Sequence, residues 1–324
     1  MKNSKPGQRL VTGNDMTEEL DQVQQVLTRI PGFEELQPGS YQVERLGGLT
    51  NLVYRIDCGA DRYVLRIPGK GTEEYIDRKV EMHNARVAAN AGVSAEVVHT
   101  DSDSGVLLMR HLDNAVTMTA QEFAQRDGSA ARAGRALKKM HEWGEAFEFR
   151  FELFAMIDDY LRILDERKAQ LPPGYAEVVE SAAPLRAALQ RNPVPLAPCH
   201  CDPLCENFLD DGERMWIVDW EYSGMNDPLW DLGDLSVEAG FNTTQDAQMM
   251  LAYCGRDPLP AEVGRMIIYK AMCDLLWTLW GLIQHSDGNP AEDFWAYAIG
   301  RFERCKALMG QSEFQQHVDA VAAG

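Results

Sequence analysis

The chain has 324 residues, with 50 Asp and Glu against 31 Lys and Arg, a formal net charge of −19, 45% hydrophobic residues and seven Cys. That length and apolar content exclude a disordered chain or a mini-protein and suggest two domains or one large two-lobed unit. The acidity argues against nucleic acid as a partner, because a phosphate backbone needs a basic face, and it suits a cationic ligand.

The first 15 residues are polar and carry no apolar signal core, so they are expected to be flexible and the chain to stay in the cytoplasm. Seven scattered Cys, an odd number, fit free thiols in a reducing compartment better than a disulfide framework. Leu20, Val23, Val26, Leu27 and Ile30 recur at helical spacing, with Asp15 and Glu18 near the expected cap. Three β-patterned runs follow at 41–46, 52–56 and 62–67, separated by Gly47-Gly48 and by Gly59-Ala60-Asp61, and read as an antiparallel meander. A helix over 75–91 comes next, then strands at 96–100 and 106–110 joined by the turn-rich Asp101-Ser102-Asp103-Ser104-Gly105.

From about Thr119 the pattern is mostly helical, clearest at 131–143, 151–168 and 266–284. The exception is a loop over 200–209, a turn at Asp211-Gly212 and an apolar β run at 215–218. The chain shows no repeat and no apolar run of about 18 residues that would span a membrane; the longest, 275–283, is interrupted by Thr278 and Gly281. The division expected from these patterns is a small α+β lobe over 1–112 and a larger, mostly helical lobe over 113–324, with a ligand cleft where they meet.

The densest polar cluster is His200-Cys201-Asp202-Pro203-Leu204-Cys205-Glu206-Asn207, followed by Asp219 at the end of the next β run. Phosphoryl transfer needs a carboxylate to orient the attacking hydroxyl and oxygen ligands for Mg²⁺ on the nucleotide phosphates, and Asp202, Asn207 and Asp219 supply that set. The bland alternative is a polar loop held by its own side-chain to backbone bonds. Adjacent Cys-His-Cys side chains diverge too much for a zinc site, and neighbours in sequence seldom form a nucleophile–base pair. Neither a dinucleotide fingerprint nor a Walker-type Gly-Lys-Ser/Thr is present.

This pattern resembles the choline and ethanolamine kinases of the aminoglycoside phosphotransferase superfamily, which share a protein-kinase-like bilobal fold. The similarity runs from about Leu46 to Leu308. It implies an α+β bilobal enzyme that uses ATP and Mg²⁺, with Asp202 as catalytic base and Asn207 and Asp219 as metal ligands. Glu221-Tyr222, Asn226 and Asp231 match the same segment. Two positions depart from the family: Cys201 and Asp234 stand where Asn is usual.

In the small lobe, Gly47, Gly48, Thr50 and Asn51 form a turn that can lay backbone N–H groups over phosphates. Arg66 is the strand cation expected on the phosphates, with Glu81 behind it and Lys70, Arg78 and Lys79 around them. Arg110, His111 and Leu112 occupy the hinge where the adenine edge is expected. At the acceptor end, Trp277 and Trp280 lie three apart on one helix face, Tyr297 follows on the next helix, and Glu238 adds a carboxylate. The resemblance implies that they enclose a small cationic metabolite, best matched by choline, whose quaternary ammonium is recognised by aromatic faces. Glu221 also belongs to this acceptor group. Another acceptor (ethanolamine, an aminoglycoside, thiamine or a sugar) and a non-catalytic binding module are the alternatives, and the choice between monomer and homodimer stays open.

Overall fold

A computed structural model describes residues 13–47, 51–69 and 76–324. The expected turn residues Gly48, Leu49 and Thr50, Lys70, and the expected helix start at Tyr75 lie outside them. The chain divides into two compact units, 1–82 with 95–113 and 83–94 with 114–324. The first contains α1 (Gly13–Leu27), β1 (Gln42–Gly47), β2 (Asn51–Cys58), β3 (Asp61–Pro68), the start of α2 (Arg78–Asn90), β4 (Val97–Asp101) and β5 (Val106–Arg110). Its sheet is antiparallel throughout, in the order β1-β2-β3-β5-β4.

Strand periodicity explains how this sheet serves two purposes. Tyr63, Leu65 and Ile67 of β3 point to one face, where they join Val23, Leu27, Ile30 and Phe33 from α1 and the segment after it in one buried cluster. Tyr54 and Ile56 stand opposite Leu65 and Tyr63, so the layer is continuous across strands. Arg66, between Leu65 and Ile67, faces the other way and is also buried.

The second unit contains the rest of α2, β6 (Val116–Thr117), α3 (Ala120–Gln125), α4 (Ser129–His141), α5 (Leu153–Arg167), α6 (Tyr175–Arg191), β7 (Ala197–Cys199), a 3₁₀ turn at Cys205–Asn207, β8 (Phe208–Asp210), β9 (Met215–Ile217) and β10 (Gly224–Asn226). Then follow α7 (Leu229–Glu238), α8 (Thr243–Cys254), α9 (Pro260–Ser286), α10 (Phe294–Met309) and α11 (Phe314–Ala323). The structure corrects the sequence reading at 200–209, expected as a loop throughout: 205–207 form the 3₁₀ turn and Phe208 opens a strand between β6 and β9. Three-residue strands are too short to show a period of two, which is why the pattern missed them.

The long helix α9 is the spine of this unit, with α5, α6, α7, α10 and α11 all against it. By length and composition it could cross a membrane, yet 78% of its most apolar window is buried inside the protein, as in a core helix. Two glycines permit close helix approach. A Cβ on Gly233 of α7 would sit 2.9 Å from the Met266 carbonyl oxygen, and one on Gly281 of α9 would sit 2.8 Å from the Tyr297 ring.

Asp210, at the end of β8, is fully buried. It accepts bonds from Arg132 of α4 (2.7 Å to each carboxylate oxygen) and from Arg126 Nε (2.7 Å), tying the short sheet to the helices. Burial, the largest influence, raises the Asp210 pKa, but the bonds from Arg132 and Arg126 outweigh it and the net shift is downward. Its stabilisation is therefore complete above the unfolded-state pKa of about 3.9 and lost as pH falls through the lower folded value. Asp210→Ala is expected to cost about 3 kcal/mol at pH 7, because it strands two cations. Urea unfolding should show that deficit shrinking at pH values below the folded pKa; a deficit unchanged by acid, or absent at neutrality, would contradict this role.

Candidate active site

The site in the second unit is built around a loop that does not hold its own shape. Asp231, in the first turn of α7 and completely buried, accepts the backbone N–H of His200 (2.7 Å) and of Cys201 (2.9 Å). Its carboxylate also meets His141 Nε2 of α4 at 2.9 Å, and His141 Nδ1 is engaged by the Tyr253 hydroxyl at 3.0 Å. Trp230 Nε1 donates to the Cys201 carbonyl at 3.1 Å. Burial lowers the His200 pKa, so the ring is neutral and its Nε2 donates to the Val218 carbonyl at 2.9 Å.

These bonds hold two non-glycine residues in the left-handed region, Cys201 at φ 67° and Asp219 at φ 68°. Such a conformation costs roughly 1–2 kcal/mol and is best tolerated by Asn and Asp. That is a physical reason for Asn at position 201 in the family pattern. Here the Cys201 thiol is buried instead, 3.7 Å from the Cys199 carbonyl and 3.9 Å from that of Gly224. Burial, then the nearby Asp231 charge, pushes the Cys199 and Cys201 thiols well up, so both are neutral.

Asp202 and Asn207 are locked in register by the turn between them. The Asp202 carbonyl accepts from Leu204 N (2.8 Å) and from Asn207 Nδ2 (3.1 Å), and Asn207 N donates to the Leu204 carbonyl (3.0 Å). Val218 N donates to the Asn207 carbonyl (2.9 Å), which brings the exposed Asp219 alongside this turn. The Asp202 carboxyl is half-buried, and burial, together with the charges of Asp219, Glu238 and Glu221, lifts its pKa to about 7 against the opposing pull of Arg301. Three carboxylates, from the segment after β9 and from α7, therefore act on the one in the loop.

Trp277, Trp280 and Tyr297 come together as a row of edge-to-face rings, with centroids 5.9 Å apart for the tryptophans and 5.8 Å for Trp280 and Tyr297. Phe294 extends the row at 5.4 Å from Trp280. An internal cation that the sequence reading left unassigned completes the group. Arg301 stacks its guanidinium over the Tyr297 ring at 4.8 Å and bonds Glu238 at 2.6 Å. Asp274 joins Arg301 to Arg304, at 3.3 and 2.6 Å. The available signal was spacing, since Arg301 lies one turn beyond Tyr297 on the same helix face.

In the first unit, the buried Glu81 of α2 pairs with both Arg66 of β3 and Arg78, the latter at 2.7 Å. Asn51 is buried at the start of β2, and Gly47 ends β1 after a register shift. Arg110 lies over the Tyr63 ring at 4.7 Å and pairs with Asp61 at 2.7 Å. His111 Nδ1 meets Asp113 at 2.9 Å. Leu112 is half-exposed.

Residues 42–263, more than half of the chain, match the model of the phosphotransferase enzyme family, APH. A choline/ethanolamine kinase family protein from Mesorhizobium loti is 58% identical in sequence and superposes with a TM-score of 0.87, covering 94% of this chain and 99% of that one. The chain belongs to the choline/ethanolamine kinase family. This family member is also similar to human ethanolamine kinase 2, at 30% identity over 79% of this chain and 73% of the relative. Choline kinase LicA from Streptococcus pneumoniae has a TM-score of 0.70 at 26% identity, covering 90% of this chain and all of that one. It is thus an enzyme that phosphorylates an alcohol, on a bilobal kinase-like fold with an antiparallel sheet in one part and a mostly helical other part.

In this kinase the Asp231 clasp should be the weakest place to perturb. Asp231→Asn turns an acceptor of two backbone N–H groups into a group that also presents donors, at an expected cost of about 2–4 kcal/mol. Hydrogen exchange should accelerate at the His200 and Cys201 amides more than elsewhere in the unit. Unchanged protection at those two amides would remove Asp231 from this role.

Proposed function

We propose that the protein transfers the γ-phosphoryl group of ATP to the hydroxyl of a small cationic amino alcohol, choline or ethanolamine. The observation that carries this reading is the fixed register of Asp202 and Asn207, whose Nδ2 donates to the Asp202 carbonyl, with Asp219 brought alongside by the Val218–Asn207 backbone bond. A carboxylate held in that position is suited to accept the hydrogen of an attacking hydroxyl. Because phosphoryl transfer passes through a loose transition state, holding that hydroxyl in line matters more than removing its proton early.

Asn207 and Asp219 fit Mg²⁺ by the chemistry of their donors. Asn207 commits its Nδ2 to the Asp202 carbonyl, which leaves its side-chain oxygen as a hard ligand, and Asp219 adds an exposed carboxylate. When bound, the ion neutralises charge on the nucleotide phosphates. Arg66, braced by Glu81, offers a bidentate grip on phosphate oxygens. The reading further assigns Gly47 and Asn51 to the phosphate turn and residues 110–112 to the base, and it places the enzyme in the cytoplasm, where ATP is supplied.

A cationic acceptor suits the excess of carboxylates around Asp202. Choline is favoured by the three rings, since a quaternary ammonium binds through aromatic faces. Ethanolamine is favoured by Arg301, which already covers one face of Tyr297 and neutralises Glu238. Both carry the hydroxyl and the charge this reading requires.

Asp202→Ala is expected to lower kcat about a thousandfold, the scale of a lost general base, while the melting temperature stays near that of the parent. In a panel of acceptors with Mg²⁺ and ATP, ADP should form with amino alcohols and not with neutral sugars. Near-normal turnover by the variant, or phosphorylation of a sugar alone, would contradict the proposal.

A further inference from the structure

Asp234 lies one turn before Glu238 on α7 and is 1% exposed. Its Oδ1 accepts from the Cys273 thiol at 3.0 Å, but its Oδ2 is buried without a hydrogen-bond partner. The ligand atoms of Asp234, Glu238 and Cys273 lie within 4.8 Å of one another, so the carboxyl is turned toward Glu238. Burial, then the charges of Glu238 and Asp202, raise its pKa well above the carboxylate range, against the weaker pull of the Cys273 bond and of Arg301, which acts on it without bonding it.

The two neighbouring carboxyls differ in one respect. Glu238 has its counter-charge in Arg301, and Asp274 has Arg301 and Arg304. No Arg or Lys among the described residues bonds Asp234. A buried carboxyl served by one weak thiol donor is costly, and a group that arrives with both a positive charge and an N–H removes that cost. The cation also favours the ionised carboxylate, whose two oxygens are acceptors only.

We infer that Asp234 selects the acceptor by its nitrogen: Oδ2 takes an N–H from the substrate's ammonium, so the enzyme prefers an amino alcohol that keeps a hydrogen on nitrogen over fully methylated choline. This rests on the amino-alcohol reading above and narrows it. Choline leaves Oδ2 unpaired and must rely on rings of which one, Tyr297, already carries the Arg301 guanidinium.

The test is a methylation series, ethanolamine, N-methylethanolamine, N,N-dimethylethanolamine and choline, assayed with Mg²⁺ and ATP for kcat and KM on the full-length protein. The parent should lose about tenfold or more in kcat/KM at the last methyl, where the final N–H disappears. In Asp234→Asn and Asp234→Ala the ratio of ethanolamine to choline should fall about tenfold, mainly through KM. Calorimetric titration with ethanolamine should weaken in parallel, and melting curves would show that the variants fold. Choline used as well as or better than ethanolamine by the parent, or a ratio unmoved in both variants, overturns the inference while leaving the amino-alcohol reading standing. A parent inert toward the whole series overturns both.

Discussion

Asp231 accepts two backbone N–H groups from a loop thirty residues earlier and meets a histidine from α4, and the geometry of the second unit's site follows from that one buried carboxylate. A loop this polar would otherwise be solvated and mobile, because its residues favour local turns over regular structure. Bonds to a charged acceptor are shorter and stronger than neutral ones. They compensate for left-handed backbone at Cys201 and, through His200 and Val218, steady the approach to Asp219, which is left-handed as well. Strain at these two positions aims Asp202 and Asp219, and the clasp keeps it in place.

The chain's acidity has a local counterpart. The charges of Asp219, Glu238 and Glu221 act on Asp202, and those of Glu238 and Asp202 act on Asp234, while Arg301 pulls against both effects. A concentration of carboxylates favours a cation beside it and disfavours ionisation of the carboxyl in its midst. The same arrangement explains the position of Arg301. It holds Glu238 and caps Tyr297 at once, so the rings stand as an organised wall and not as loose hydrophobic surface.

Much of the first unit was legible because its strands run five to eight residues and the turns carry Gly and Asp where reversal requires them. The loop carrying Asp202 and Asn207 was legible by spacing. The short strands β7 to β10 were not, since three residues cannot display a period, and α9, expected over 266–284, begins six residues earlier at Pro260, a residue tolerated in the first helical turn, while Thr278 and Gly281 interrupt only its apolar run. Thr278 is buried with its hydroxyl bonded to the Asp274 carbonyl, and Gly281 admits the Tyr297 ring, so both interruptions are packing devices.

By itself the sequence determined which chemistry was available: a carboxylate and an amide five residues apart, a second carboxylate after a strand, a strand arginine with a helix glutamate, and aromatic residues at helical spacing. These are local patterns, and local patterns survive in one dimension. Only the tertiary structure decided which charges are balanced. Arg301 bonds Glu238 and reaches Asp234 only through space, because three helices, α7, α9 and α10, converge there. Partnership across elements depends on distance in space, and spacing along the chain carries no record of it.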